Sequence, residues 1–207
     1  MPEGRRHWLL KGFLFRVLRL LVGDTGSVGA DQFVYFDASD PTRCCAPDAF
    51  VKLGVETEFE SWKTWEHGVP ELLVEILSPS DTKERWTLDE KLARFHALGA
   101  HEVIAVDLDA PAGRRIRAWD RLDDDLVERV VTNDETPCLT LDLHWLIAPA
   151  EGYPIMLRLA RNPGGRQLLP SPEEQASSEA NEQRQRAVAA EARVAELERE
   201  LRALKRR

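Results

Sequence analysis

The stretch "VPELLVEILSPSD" (Val69–Asp81) decides how this chain is read. The run "LLVEIL" has the pattern of a buried strand, and "SPSD" ends it as a turn. Glu75 stands in the middle of that run. An ionised carboxylate in an apolar interior is costly unless something compensates it. Either Glu75 is paired with a cation, or it is a metal ligand or a catalytic group.

Side chains alternate across a strand, so Glu71, Leu73, Glu75 and Leu77 share one face, and Leu72, Val74 and Ile76 the other. The next segment is a helix ending near Gly99, with an apolar stripe of Leu88, Leu92, Phe95 and Leu98. Lys91 falls angularly between Phe95 and Leu98 and points inward, where a lysine is rarely left without a partner. Upstream, Asp48 heads the strand "DAFVKL" (Asp48–Leu53) after Pro47. Asp48 and Glu75 on neighbouring strands, with Lys91 over the same end, make a two-carboxylate, one-ammonium site. Oxygen ligands of this kind suit Mg²⁺ or Mn²⁺. A lysine beside them can orient a water for attack on a phosphodiester. The pattern alone favours this no more than a Lys91–Glu75 ion pair with Asp48 capping a turn.

Working outward, "EVIAVDL" (Glu102–Leu108) is a second strand after the helix, so strand, helix and strand form a crossover in a small mixed sheet. "QFVYF" (Gln32–Phe36), "RRIRAW", "LVERVV" and "CLTLDL" read as further short strands, and "GDTGSVGAD" as a loop. "YPIMLRLA" and "RQLL", separated by "RNPGG", read as a final hairpin. The N-terminal "RRHWLLKGFLFRVLRLLVG" is an amphipathic helix, its apolar Leu9, Leu10, Phe13, Val17, Leu20 and Leu21 opposite Lys11, Arg16 and Arg19. Those charges argue against a cleavable leader or a membrane span. After Pro170 the composition changes. Ala176, Ala180, Gln183, Ala187, Ala190, Val194, Leu197, Leu201 and Leu204 follow at spacings of four and three, a heptad seam flanked by charges. The expected division is a domain over 1–170 and a charged helical, coiled-coil tail over 171–207.

The formal net charge is −8, and the tail's acids and bases balance, so the whole excess lies in the domain. Such a domain lacks the broad basic footprint of a nucleic-acid binder. Three cysteines, two of them adjacent, give neither zinc spacing nor a disulfide framework, which points to a reducing, cytoplasmic setting. The five histidines, His7 among them, show no metal spacing and read as surface or packing residues. Ser78 with His96 or His101 does not make a hydrolase triad, because no nucleophile elbow surrounds the serine. Trp62, Trp65 and Trp86 could stack bases, although packing is the commoner use, and Lys83 and Arg85 could meet phosphate.

The segments "APDAFV", "VPELLVEILSPSD" and "EKLARFHALGAHEVIAVD" together resemble the Uma-two-type restriction-endonuclease family of the PD-(D/E)XK nuclease-like superfamily. The resemblance runs from about His7 to Pro172. It implies an α+β (mixed α/β), restriction-endonuclease-like core acting as a Mg²⁺- or Mn²⁺-dependent endonuclease on DNA. Its metal ligands would be Asp48 and Glu75. Lys91 would take the superfamily's lysine role from the helix, and Glu71 would assist where members usually carry Asp. Phe95 stands at the usual tyrosine position, and Thr87 where an Asp is common. A homodimer without a membrane partner is expected, since the heptads and the sheet edges both favour pairing. The alternative from another class is a catalytically weakened or inactive nuclease fold that serves as an interaction module through its coil.

Overall fold

The computed structural model describes residues 4–77 and 86–205. The "SPSD" turn, Ser78, Lys83 and Arg85 lie outside the described residues. The chain divides into two units, Met1–Leu169 and Pro170–Arg207.

The first unit is built on a six-stranded mixed sheet. Its strands, in chain order, are β1 (Gly26–Gly29), β4 (Ala49–Leu53), β6 (Leu72–Ile76), β7 (Glu102–Val106), β8 (Ile116–Leu122) and β9 (Asp125–Arg129), and they are ordered in that same sequence across the sheet. Only β6 and β7 run parallel; every other neighbouring pair is antiparallel. Parallel neighbours need a crossover, and α3 (Leu88–Leu98) supplies it. Leu72–Ile76 of the "LLVEIL" run are therefore a central strand, buried along its whole length, and Leu77, half-buried, follows it.

Each face of this sheet has its own apolar core. One face presents Ala49, Val51, Leu72, Val74, Ile76 and Ile104 to α1 (Arg5–Val22). A second, three-stranded antiparallel sheet of β10 (Glu135–Cys138), β11 (Leu143–Ala150) and β12 (Tyr153–Ala160) completes that core with Trp145, Met156, Leu157 and Leu159. The other face presents Phe50, Leu73, Val103 and Ala105 to Phe95 and Leu98 of α3. Trp62 joins this second core from a small sheet of β2 (Val34–Tyr35), β3 (Cys44–Cys45) and β5 (Trp62–Lys63), where the short α2 (Thr64–His67) follows.

Several strand readings change. Gly26–Gly29, read as a loop, is the edge strand β1, paired with β4. A side chain there would collide: a Cβ at Gly29 would stand 2.2 Å from the Phe50 ring, and one at Gly26 2.3 Å from the Lys52 carbonyl. "CLTLDL" is not one strand, because Cys138 ends β10 and Leu143 begins β11. The buried Glu102 carboxylate accepts the Leu139 and Thr140 amides at 3.0 and 2.8 Å and folds the chain back between them. β12 pairs along its length with β11, and "RQLL" returns to it as expected, through the Ala160–Leu168 bridge, the Arg161 amide donating to the Gln167 carbonyl at 2.9 Å and the Leu169 amide to the Leu159 carbonyl at 2.8 Å. The buried arc of α1 is Leu10, Phe13, Leu14, Val17, Leu18 and Val22, rotated from the expected one, and Leu20 is exposed.

In the second unit, α4 (Pro172–Leu204) is one continuous helix. Ser171 and Glu174 cap its start reciprocally, each side chain accepting the other's amide, at 3.2 and 3.0 Å. Val188, Val194, Leu197, Leu201 and Leu204 are exposed along it. Among the described residues no helix is long and apolar enough to cross a membrane.

Candidate active site

The pairing of β4 with β6 brings the site together. Their register pairs Ala49 with Val74, Phe50 with Leu73 and Val51 with Leu72. At one end Lys52 pairs with Glu71; at the other, Asp48, which immediately precedes β4, accepts the amide of Ile76, the residue after Glu75, at 2.7 Å. The face turned to α3 therefore carries Glu75 towards one end, the apolar Phe50–Leu73 pair in the middle and the Lys52–Glu71 pair at the other end.

Glu75 is 2% exposed. On its other side the parallel register places Ala105, which is buried. Lys91 of α3 meets Glu75, its Nζ donating to Glu75 Oε1. The Lys91 side chain is 25% exposed, against 3% for Glu75, so the site is reached past the lysine.

Local structure fixes Lys91. Thr87 caps α3: its Oγ1 accepts the Glu90 amide, and Glu90 Oε2 accepts the Thr87 amide at 2.6 Å. The Lys91 amide then closes the first turn on the Thr87 carbonyl at 3.0 Å. At the far end Gly99 takes a left-handed conformation, φ 91°, and stops the helix. Phe95, one turn beyond Lys91, is fully buried. Thr87 and Phe95 thus carry structural tasks at two of the positions where this sequence departs from the expected pattern.

Asp48 is held through both of its oxygens. Oδ2 accepts the Ile76 amide at 2.7 Å, and Oδ1 lies 2.7 Å from His7 Nε2. Sequence reasoning passed over this histidine. The missed signal was its place one turn before Leu10 and two before Leu14, on the buried stripe of α1.

The structure thus joins Lys91 to Glu75 and His7 to Asp48, and ties Asp48 to the amide that follows Glu75. It does not bring Glu71 to them. Glu71 lies four residues back along the chain, about 13 Å at strand rise, where it pairs with Lys52 and accepts the Leu53 amide at 2.8 Å.

The surroundings are neutral or already engaged. Burial, and then the neighbouring Cys44 and Glu75 charges, push the Cys45 thiol up to about 12. Arg94, one turn beyond Lys91, lies over the Trp86 ring at 3.2 Å from its centroid and donates to the Thr42 and Cys44 carbonyls. Trp62 is a core residue whose indole donates to the Gly68 carbonyl at 2.8 Å. Of the three tryptophans, Trp65 is the exposed one.

The sequence profile of the Uma2 family, described as "Putative restriction endonuclease", matches residues 1–151. The chain belongs to the Uma2 family. Among solved structures this Uma2 chain is similar to "a putative nuclease belonging to DUF820" from Anabaena variabilis ATCC 29413. That match has 14% identity and a TM-score of 0.50, and covers 68% of this chain and 75% of that one. The likeness concerns the fold alone. No curated protein matches the chain.

Asp48 and Glu75 are oxygen donors of the kind that a hard divalent cation takes, one at the head of β4 and one on β6. Among the described residues no group of three or more His, Cys, Asp or Glu is placed to hold a metal ion. The protein would then give two carboxylates and leave the remaining positions to water and substrate, as Mg²⁺ sites commonly do.

Proposed function

We propose that this Uma2 protein is a metal-dependent endonuclease that hydrolyses DNA phosphodiester bonds. Glu75 carries the reading: a carboxylate buried on a central strand, beside the Ile76 amide that Asp48 accepts, and met by the Lys91 ammonium from the crossover helix. Asp48 and Glu75 would hold Mg²⁺ or Mn²⁺. The bound ion supplies Lewis-acid stabilisation of the charge that develops on the phosphoryl oxygens. Lys91 orients the attacking water with an ammonium proton, and its contact with Glu75 Oε1 keeps that ammonium over the site. Because Lys91 is the exposed member, the scissile phosphate approaches from the α3 side.

An acidic chain cannot hold DNA by a general field. Contact is local to the cleft, or a second subunit shares it. The exposed apolar stripe of α4 supports a homodimer, and the proposed setting is the cytoplasm.

The test is cleavage of plasmid DNA with Mg²⁺ or Mn²⁺ by the wild type, Glu75→Gln and Lys91→Ala. Cleavage that needs the ion and fails in both variants supports the reading. Equal cleavage by all three assigns the activity to another site or to a contaminant.

A second reading keeps the fold without the chemistry. The Lys91–Glu75 and His7–Asp48 pairs are also what a structural ion network requires, and α4 supplies a surface for recruitment. Correctly folded protein that takes up no divalent ion and cleaves nothing supports that alternative.

A further inference from the structure

We infer that His7 is a positioning residue of this site, its imidazole holding the Asp48 carboxylate in the orientation from which Asp48 and Glu75 share a cation. This rests on the metal-site reading above and adds α1 to the working parts of the centre.

The contact is close and sheltered. His7 Nε2 lies 2.7 Å from Asp48 Oδ1, and both side chains are 9% exposed. A carboxylate accepts and does not donate, so Nε2 carries the proton in this bond. The opposite oxygen accepts the Ile76 amide at 2.7 Å. Two tethers from two elements, one on each oxygen, leave the carboxylate no free rotation about its last bond. A single tether to Ile76 would leave Oδ1 free to swing.

The helix makes His7 a rigid support. Leu10 and Leu14 follow it on the same stripe, and both are fully buried in the core against the sheet. An apolar side chain would continue that stripe, so the imidazole at its head is explained by Asp48. A direct ligand role is disfavoured, because His7, Asp48 and Glu75 do not form a three-donor group able to hold a metal ion. Partners that orient metal ligands in this way typically change metal affinity by about 10-fold to 100-fold when removed.

The test compares the wild type with His7→Ala, His7→Gln and His7→Asn. Glutamine can place a donor close to the position of Nε2, whereas asparagine falls short of it. Two quantities are read: Mn²⁺ affinity by calorimetry, and the hydrogen-exchange rate of the Ile76 amide without metal. The expected result is Mn²⁺ binding weakened about 10-fold or more in the Ala and Asn variants and restored in Gln. Ile76 should exchange faster in Ala and Asn, and at the wild-type rate in Gln. Wild-type Mn²⁺ affinity in His7→Ala, equal behaviour of Gln and Asn, or unchanged Ile76 exchange would each overturn the inference. If the wild type takes up no Mn²⁺ but Ile76 responds as stated, the metal reading fails while the tether from His7 to Asp48 stands. Should His7→Ala fail to fold, the contrast between Gln and Asn separates the same outcomes.

Discussion

The Asp48 carboxylate accepts the Ile76 amide at 2.7 Å, so the residue that follows Glu75 anchors the second acid to β6. Asp48 cannot leave the end of β6 without breaking a buried bond.

If the acid pair exists for a cation, it stabilises the fold little. Glu75→Gln should abolish cleavage while leaving the urea midpoint unchanged or raised, because it removes a buried charge and keeps the side-chain volume. A purely structural Lys91–Glu75 pair would instead lose about 3 kcal/mol or more when one partner is removed. Parallel denaturation and cleavage measurements on Glu75→Gln separate the two.

A second acid pair in the same sheet behaves differently. Glu102 stands opposite Asp120 across β7 and β8, and Arg129 from β9 bridges both. Glu102, 2% exposed, also accepts two backbone amides, and Arg129 donates further to Thr136 Oγ1 and the Pro137 carbonyl. This network joins the two larger sheets. Arg129→Met should therefore cost about 3 kcal/mol of stability by leaving a buried charge short of its partner, with cleavage per folded molecule unchanged. A midpoint within error of the wild type would refute the structural role.

The thiols give a probe of the second core. Burial holds Cys45 protonated up to about 12 and raises Cys138 as well, whereas Cys44 is half-buried. At pH 8 only Cys44 should react promptly with a thiol reagent in the native protein, and all three in denaturant. Since the folded value of Cys45 is raised, its contribution to stability is full below the ordinary thiol value near 9 and is lost as pH rises toward 12. Urea midpoints measured at rising alkaline pH should fall across that window.

The tail prediction concerns assembly. Leu197 and Leu201 are exposed and one turn apart on α4. If the heptad seam pairs two chains, light scattering should give a dimer mass for the wild type and a monomer mass for Leu197→Glu combined with Leu201→Glu. A mass unaffected by the double substitution would remove the seam as the dimer contact.

The sequence made β6, α3 and the inward Lys91 legible because each rests on a strong period, two for the strand and 3.6 for the helix. Glu75 and Lys91 were visible as charges that violate those periods. Asp48 was legible as the head of a strand after Pro47. What stayed hidden carried no period. β1 is "GSVG", in which two glycines stand where close strands leave no room for a side chain, and glycine reads as loop. The β10–β11 turn is set by Glu102, far away in sequence. His7 broke a helical stripe just as Lys91 did, but it stands at the end of α1, where one deviation is easily read as fraying. Glu71 is the opposite case: strand alternation puts it on the face of Glu75, but alternation says nothing of the distance along the strand or of Lys52, with which it pairs.

The central claim is that Asp48 and Glu75 hold a divalent cation between them. Calorimetric titration of Mn²⁺ into the wild type, Asp48→Asn and Glu75→Gln tests it most directly. The account predicts one ion bound per wild-type chain and none in either folded variant at the same concentrations. Equal binding by all three proteins, or no binding by the wild type, would contradict it.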